Sequence, residues 1–376
     1  MAEVAEAVPP DDAPAPSSPH ASVPEGAAHS APSHPLDDKL LVELGDGIPI
    51  KDEVLKKEAT SLEHLLTHYP KNPYCPLCHI GQDTAMRVSH VKDGKSDDKI
   101  DPPKQPFEQL ATDDVILAKG SEHFGTGIGG VKTHHVVRDL YSSARIAYPL
   151  SKRDVASHAK NFRHFVGLKA NELATHTLIK MDEAQELEQA AHQVGFVPET
   201  SFPNRWPHNA LLERDIREEK ECCRVVHLQS RLPYEYHTYS YPYSCLSMIF
   251  DRPSIADPEK TQWEALTREK FDGKRLCFGQ LVYYRKKHPT KRTLEPNMAP
   301  GLFLGWRIDS GFRYRYVGRI LDYQEFRTRG ASCVFDVPEP ELYLPDGDAY
   351  FPVGFSKHQA LIRGDDPDDI KLNSLK

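Results

Sequence analysis

The stretch HLLTHYPKNPYCPLC, residues 64–78, joins a His-x3-His pair to a Cys-x2-Cys pair. Residues four apart on a helix lie on one face, so the imidazoles of His64 and His68 can reach one ion. Two residues between Cys75 and Cys78 allow a turn that brings both thiolates together, and four such ligands complete a tetrahedral zinc site. The alternative is a pair of surface histidines beside two free cysteines. We expect the zinc site, because four ligand-type residues fall within 15 positions in the order that a structural zinc module needs.

Composition limits the class of protein. The chain has 376 residues, of which 39% are hydrophobic, enough for two or three modest domains. No run of 18 or more apolar residues could span a membrane, so we expect no membrane partner. Residues 1–36 are rich in Pro, Ala, Ser and His and lack the apolar centre of a signal peptide, which predicts a disordered tail. Seven cysteines, only two of them in a Cys-x2-Cys pair, favour a reducing compartment, nuclear or cytoplasmic and not secreted.

Shifts in composition divide the rest of the chain. Strand-like segments at residues 111–117, 131–140, 144–150 and 175–181 alternate with helical spacing at 154–168, 183–194 and 207–228. Three strands, a helix, a strand and further helices predict an α/β fold with a mixed sheet packed on both faces. The predicted domains are a helical zinc module over residues 39–90, a linker over 91–106, the α/β core over 107–270, a basic β-rich domain over 271–345 and an acidic tail over 346–376.

Three carboxylates in the core are candidates for chemistry. Asp113 lies in the first strand, Asp182 ends the fourth strand, and Glu213 lies one to two turns into the long helix. Each has an ordinary explanation on its own: Asp113 as a strand-edge charge, Asp182 as a helix cap, and Glu213 as a solvated partner of Arg217. Their joint placement downstream of a zinc module favours one shared site. Asp114 is the rival of Asp113, because neighbours in a strand point to opposite faces.

At these positions the chain resembles the integrase of copia-type retrotransposons. The likeness rests on the His/His/Cys/Cys module, the strand with Asp113, the strand-end Asp182 and the segment PNRWPHNALLER at residues 203–214. The final Asn-x3-Glu-Arg resembles the helix signature around the family's catalytic glutamate. The segment PGLFLGW at residues 300–306 also resembles one that follows the core in these polyproteins. The likeness covers about residues 60 to 345.

The resemblance implies a ribonuclease H-like core and a DNA-integrating activity. In such a core Asp113, Asp182 and Glu213 hold two Mg²⁺ or Mn²⁺ ions, with Asp113 bridging both, for end processing and strand transfer on DNA. Hard divalent ions prefer carboxylate oxygens, and a pair about 3.5–4 Å apart can stabilise both the attacking and the leaving oxygen. The implied partners are DNA and further copies of the chain, and the implied ions are structural Zn²⁺ and catalytic Mg²⁺ or Mn²⁺.

The chain also departs from the family pattern. Asp182 is followed by Glu183, Ala184, Gln185 and Glu186, where the family usually has Asn or a small residue near a glycine. Two other functions therefore stay open: a catalytically inactive integrase relative that binds nucleic acid, and a zinc-module adaptor in which the carboxylates are coincidental. Because capsid-like, protease and reverse-transcriptase parts are lacking, we expect a fragment of such an element or a gene derived from one.

Charge supplies a separate indication of a nucleic-acid partner. The net charge is -8, but residues 276–330 contain eleven Lys and Arg against four Asp and Glu, with aromatic residues between them. Such a segment can neutralise phosphates and stack on bases, and a solvated face of a small β-barrel explains it equally well. The predicted DNA-binding residues, which also resemble a nuclear-import patch, are Arg285, Lys286, Lys287, Lys291 and Arg292.

Overall fold

The computed structural model describes residues 50–82, 102–117, 125–169, 176–200, 210–286, 296–330 and 332–354. The predicted disordered tail, most of the predicted linker and residues 355–376 of the predicted acidic tail lie outside these ranges, as do residues 203–209. All described residues belong to one compact unit that begins at Pro49. None of the helices in the described ranges has the length and apolar character needed to cross a membrane.

Three short helices form the N-terminal part of the described chain. Helix α2 begins after Ser61, whose hydroxyl accepts a hydrogen bond from the backbone N–H of His64. It ends at His68, which adopts the left-handed conformation with φ of 50° and so turns the chain toward the cysteines. The helices are α1 (Ile50–Glu58), α2 (Leu62–Thr67) and α3 (Pro76–Gln82).

A mixed five-stranded sheet forms the core, as the sequence predicted. Its strand order is β3-β2-β1-β4-β5, with β2 antiparallel to β1 and β3, and with β4 parallel to both β1 and β5. This order and these directions are those of a ribonuclease H-like fold. The strands are β1 (Gln109–Ile116), β2 (Thr133–Asp139), β3 (Arg145–Leu150), β4 (Leu178–Met181) and β5 (Val197–Thr200).

Helices cover both faces of this sheet. On one face Leu110 and Val137 pack with residues of α4 and α5, and on the other Ala111 and Val136 pack with residues of α6 and α7. The two hydrophobic clusters arise because successive strand residues alternate between faces. The helices are α4 (Val155–Val166), α5 (Gln185–Val194), α6 (Ala210–Ser230) and α7 (His237–Asp251).

A second sheet of five antiparallel strands follows, in the order β10-β6-β7-β8-β9. The aromatic rings of Phe303 and Trp306 in β7 pack against Tyr243 of α7, which joins this sheet to the core. A β-rich C-terminal part was expected from the sequence. Its elements are α8 (Gln262–Thr267), β6 (Leu281–Arg285), β7 (Met298–Asp309), β8 (Arg313–Asp322), α9 (Tyr323–Arg329), β9 (Val334–Pro338) and β10 (Leu342–Tyr343).

Candidate metal centres and active site

The four predicted zinc ligands converge. Nε2 of His64 lies 3.4 Å from Sγ of Cys78, and Nδ1 of His68 lies 3.5 Å from Sγ of Cys75 and 3.7 Å from Sγ of Cys78. Sulfur and nitrogen atoms that share a tetrahedral zinc at bond lengths of about 2.3 and 2.0–2.1 Å are separated by roughly this distance. All four side chains are buried, and their ligand atoms lie within 4.8 Å of one another. The donor set therefore fits a closed, structural zinc site.

The surroundings of these ligands also suit a metal. Nε2 of His68 lies 2.7 Å from Oε1 of Gln229 in α6, so this ring N–H donates to the amide and leaves the lone pair on Nδ1 facing the thiols. A hydrogen bond from Cys78 lowers the pKa of the Cys75 thiol below its usual range, and the same bond raises the pKa of Cys78. One thiolate is thus favoured before any ion binds, as a zinc ligand requires.

Asp113 and Asp114 point to opposite faces of β1. Asp113 shares its face with Ala111 and Val115, which pack against residues of α6. Asp114 lies on the face covered by α4, where its carboxylate contacts His158. The strand therefore separates the two neighbouring carboxylates, and only Asp113 lies on the side of the helix that carries Glu213.

The charges of Asp182 and Glu213 act on Asp113. Burial, together with the charges of Asp182, Asp114 and Glu213, raises the pKa of Asp113 to about 6, against the lowering effect of a hydrogen bond from the backbone N–H of Asp114. The charges of Asp182 and Glu213 therefore reach Asp113 and favour its protonated form. A buried carboxylate with a raised pKa beside other carboxylates is typical of functional sites.

Asp182 is not the N-cap of the helix that follows it, and Glu213 forms no ion pair with Arg217 among the described residues. The N-cap of α5 is Ala184 rather than Asp182, and Ala184 has no side chain that could form a capping hydrogen bond. Among the described residues, the ion pairs formed by arginines of α6 include Arg214 with Glu218 and do not include one between Glu213 and Arg217.

A buried cluster of charges fixes α6 against the sheet. The guanidinium of Arg138 in β2 lies 2.8 Å from the carboxylate of Asp215, and Arg145 in β3 pairs with Glu219 and, at 3.5 Å, with Asp215. Arg145 and Glu219 are almost completely inaccessible to solvent. Since Asp215 lies two residues after Glu213, this cluster sets the rotation of the helix and so the direction in which Glu213 points.

The predicted DNA-binding residues are only partly described. Arg285 is exposed at the end of β6, whereas Lys286 forms a 2.7 Å ion pair with the buried carboxylate of Asp322. Lys287, Lys291 and Arg292 lie outside the described residues.

Sequence analysis missed another basic surface, which we call the α6 stripe. Its members are exposed and recur every three or four residues, so they follow one face of α6 over about 15 Å. The spacing of three or four residues is visible in the sequence, but the basic residues of the C-terminal segment are denser and drew the prediction there. The α6 stripe consists of Arg214, Arg217, Lys220 and Arg224.

Comparison with known proteins gives structural neighbours alone. No protein-family model matches the chain, and no curated protein does. The simian T-cell lymphotropic virus intasome in complex with PP2A regulatory subunit B56 gamma is 12% identical, with a TM-score of 0.30, over 65% of this chain and 83% of that chain. The HTLV-2 integrase catalytic core domain in complex with magnesium is 16% identical, with a TM-score of 0.30, over 43% of this chain and 97% of that chain. The BIV integrase catalytic core domain is 15% identical, with a TM-score of 0.30, over 43% of this chain and 95% of that chain.

Proposed function

We propose that this chain is a copia-type integrase, a polynucleotidyl transferase that processes DNA ends and joins them to target DNA with the help of divalent metal ions. The observation that carries the proposal is the placement of Asp113 in the central strand of a ribonuclease H-like sheet, with its pKa raised by burial and by the charges of Asp182 and Glu213.

The carboxylates of Asp113, Asp182 and Glu213 supply the oxygen ligands that Mg²⁺ or Mn²⁺ prefers, and the effect of Asp182 and Glu213 on the pKa of Asp113 supports their shared use. Asp113, Asp182 and Glu213 would together hold the two ions of the proposed site. Ions held there would activate the attacking oxygen and stabilise the leaving oxygen of the DNA backbone.

The chain's own residues supply positioning. The buried pairs of Arg138 and Arg145 with Asp215 and Glu219 hold α6 so that Glu213 stays on the face of Asp113. The α6 stripe begins at the next residue, Arg214, and supplies positive charge beside the carboxylates, where a DNA backbone would otherwise be repelled. We therefore place the DNA partner along α6, with Arg285 as a further contact.

The His64, His68, Cys75 and Cys78 site takes Zn²⁺ in this proposal and has a structural role, because four protein ligands leave no open position for a substrate. In this proposal the protein is nuclear or cytoplasmic and assembles into a homo-oligomer.

The test is a strand-transfer and nicking assay on double-stranded DNA with Mg²⁺ or Mn²⁺. Glu213→Gln and Asp182→Asn keep side-chain size and remove the charge that holds a cation, so each is expected to abolish activity while the protein stays folded. Glu183→Gln, which removes the exposed charge next to Asp182, is the matched control and is expected to retain activity.

The runner-up is an inactive integrase relative that binds nucleic acid. The observation that favours it is the acidic sequence after Asp182, in which Glu186 lies 2.9 Å from Arg153 and Glu183 is exposed. DNA binding by the wild-type protein, without metal-dependent nicking or joining, would establish this function in place of the enzyme.

A further inference from the structure

The face of β1 opposite Asp113 carries a second cluster of metal-binding side chains. Asp114 in β1 and His135 in β2 are direct cross-strand partners, and His158 approaches them from α4. One ligand atom from each of the three lies within 4.8 Å of the others. The two histidines are fully buried, and nothing in the proposed integrase chemistry uses them.

We propose that Asp114, His135 and His158 form a second transition-metal site. It lies on the face of the sheet opposite Asp113 and binds Zn²⁺ or a similar borderline divalent cation. The site does not depend on the proposed function, because it lies on the other face of the sheet and shares no residue with the candidate active site.

The spacing of the ligand atoms suits a metal. Nε2 of His158 lies 3.2 and 3.1 Å from the two carboxylate oxygens of Asp114. A nitrogen and an oxygen bound to zinc at about 2.0–2.2 Å in tetrahedral geometry are separated by roughly the same distance. An ion between these atoms therefore needs little movement of the backbone.

The second ring nitrogens of both histidines are already held, as they are around bound metals. Nδ1 of His158 donates to the carbonyl of Asp154 at 2.8 Å, which fixes the ring so that Nε2 faces the carboxylate of Asp114. Nε2 of His135 lies 2.7 Å from the hydroxyl of Thr112.

That hydroxyl fixes the tautomer of His135. The Thr112 O–H donates to the carbonyl of Val136 at 3.0 Å, so the hydroxyl oxygen accepts the Nε2–H of His135. The lone pair of His135 is then on Nδ1, which contacts the side-chain amide of Asn161 at 3.2 Å. His135 is thus held in a neutral form whose Nδ1 lone pair accepts a hydrogen bond from the Asn161 amide, a bond that an incoming ion would replace. At His158 an ion would take the place of the proton on Nε2.

The chemistry of the donors selects the ion. Two imidazoles and one carboxylate suit Zn²⁺ and other first-row divalent ions, whereas Mg²⁺ prefers oxygen ligands alone. Three protein ligands leave at least one position for water.

Arg153 competes with a metal ion for the carboxylate of Asp114. Its guanidinium lies 2.8 Å from a carboxylate oxygen of Asp114 and 2.9 Å from Glu186 of α5, and its side chain is 35% exposed. Because Arg153 has a second acidic partner, it can leave Asp114 when a divalent cation arrives. Removing its charge is therefore expected to strengthen metal binding, an effect that a purely structural ion pair does not produce.

The experiment measures zinc bound to the full-length chain after equilibrium dialysis against buffered Zn²⁺, with bound metal counted by mass spectrometry. His158→Gln is expected to lower the count by one ion per chain, and Arg153→Gln to tighten binding of that ion several-fold. Arg163→Gln, which removes an exposed arginine of α4, is the matched control and is expected to change neither quantity.

Co²⁺ spectra separate this site from the His/His/Cys/Cys site, because only the latter gives thiolate-to-cobalt absorption. The expected result is one Co²⁺ with sulfur ligands and one without, the second lost in His158→Gln. If His158→Gln folds normally and leaves the zinc count unchanged, or if Arg153→Gln does not tighten binding, the cluster is a closed ion pair and the proposal is overturned. Arg153→Gln keeps the test decisive even if His158→Gln does not fold.

Discussion

His68 is hydrogen-bonded to Gln229, with 2.7 Å between Nε2 of the imidazole and Oε1 of the amide. The two residues lie 161 positions apart, and Gln229 is in the helix that also carries Glu213. The candidate zinc site is therefore attached directly to α6. A further contact supports this attachment, since a guanidinium N–H of Arg224 donates to the carbonyl of Gly81 in α3 at 3.1 Å.

Gln229→Leu should weaken zinc retention by roughly 10–100-fold, the range measured for other supporting residues around bound metals. The loss of the amide removes the acceptor that orients the imidazole of His68. The measurement is competition for Zn²⁺ against a chelator of known affinity, with Gln193→Leu, an exposed position on α5, as the control. Equal zinc affinity in Gln229→Leu and the wild-type protein would mean that the contact has no part in metal binding.

Chelation of zinc should destabilise more than the first three helices. Without the ion, the buried thiols and imidazoles lose their common partner, and the packing of α3 on α6 should loosen with them. Hydrogen exchange is expected to show loss of protection in α2 and α3 and, to a smaller extent, in the C-terminal half of α6. Unchanged protection of α2 and α3 after complete zinc removal would contradict the ligand assignment.

Glu219→Gln should destabilise the protein by about 3–5 kcal/mol, because it removes the nearer carboxylate from the buried guanidinium of Arg145 and leaves only the longer pair with Asp215 at 3.5 Å. Replacing both residues, as in Arg145→Met with Glu219→Met, should cost less than the single change, since no charge is then left buried alone. Urea denaturation measures both. A double variant that is no more stable than Glu219→Gln would show that the pair is not the source of the effect.

DNA affinity should depend on the α6 stripe more than on Lys286. Each phosphate contact that is lost lowers the salt dependence of binding by about one unit of slope. Arg217→Gln with Lys220→Gln should therefore lower the slope by up to about two. Lys286→Gln should lower it little, because this ammonium is already paired with Asp322 at 2.7 Å. The opposite ranking in a salt titration would move the DNA path to the C-terminal sheet.

Asp113 should make the stability of the Mg²⁺-free protein depend on pH. Its pKa is about 6 in the folded protein against 3.8 for an ordinary aspartate, so the folded state binds the extra proton. The contribution of this group to stability is therefore fully present below about pH 4 and is lost as the pH rises through about 6. Urea denaturation at several pH values in Mg²⁺-free buffer should show this loss in the wild-type protein and not in Asp113→Asn. Parallel pH profiles for the two proteins would contradict it.

Many strands of the core could be predicted from the sequence, because the pattern of apolar residues that marks a strand involves only neighbouring positions. The strands around Val115, Val137 and Ile146 are apolar runs bounded by turns, and the structure has them where the pattern predicts. β5 was missed: its four residues, Val197 to Thr200, include a proline and neither alternate nor form an apolar run.

The arrangement of the candidate site could not be predicted, because it depends on contacts between residues that are far apart in the sequence. Strand alternation showed that Asp113 and Asp114 face opposite ways, but which face α6 covers follows from the topology of the sheet. The pairing of Lys286 with Asp322 joins residues 36 positions apart, so a basic run that suggested DNA contact includes a lysine used within the fold. Buried histidines such as His135 were also unforeseen, since a His in a strand is usually a surface or satisfied core residue.

Crystals of the wild-type protein soaked in Mn²⁺, with the ion located by its anomalous scattering, reveal directly whether the three carboxylates bind a metal. We expect Mn²⁺ bound by the carboxylates of Asp113, Asp182 and Glu213, and loss of that signal in Asp113→Asn with no loss in Glu183→Gln. Well-ordered carboxylates at these three residues with no Mn²⁺ among them, in crystals soaked with a large excess of the ion, would contradict the proposed metal site.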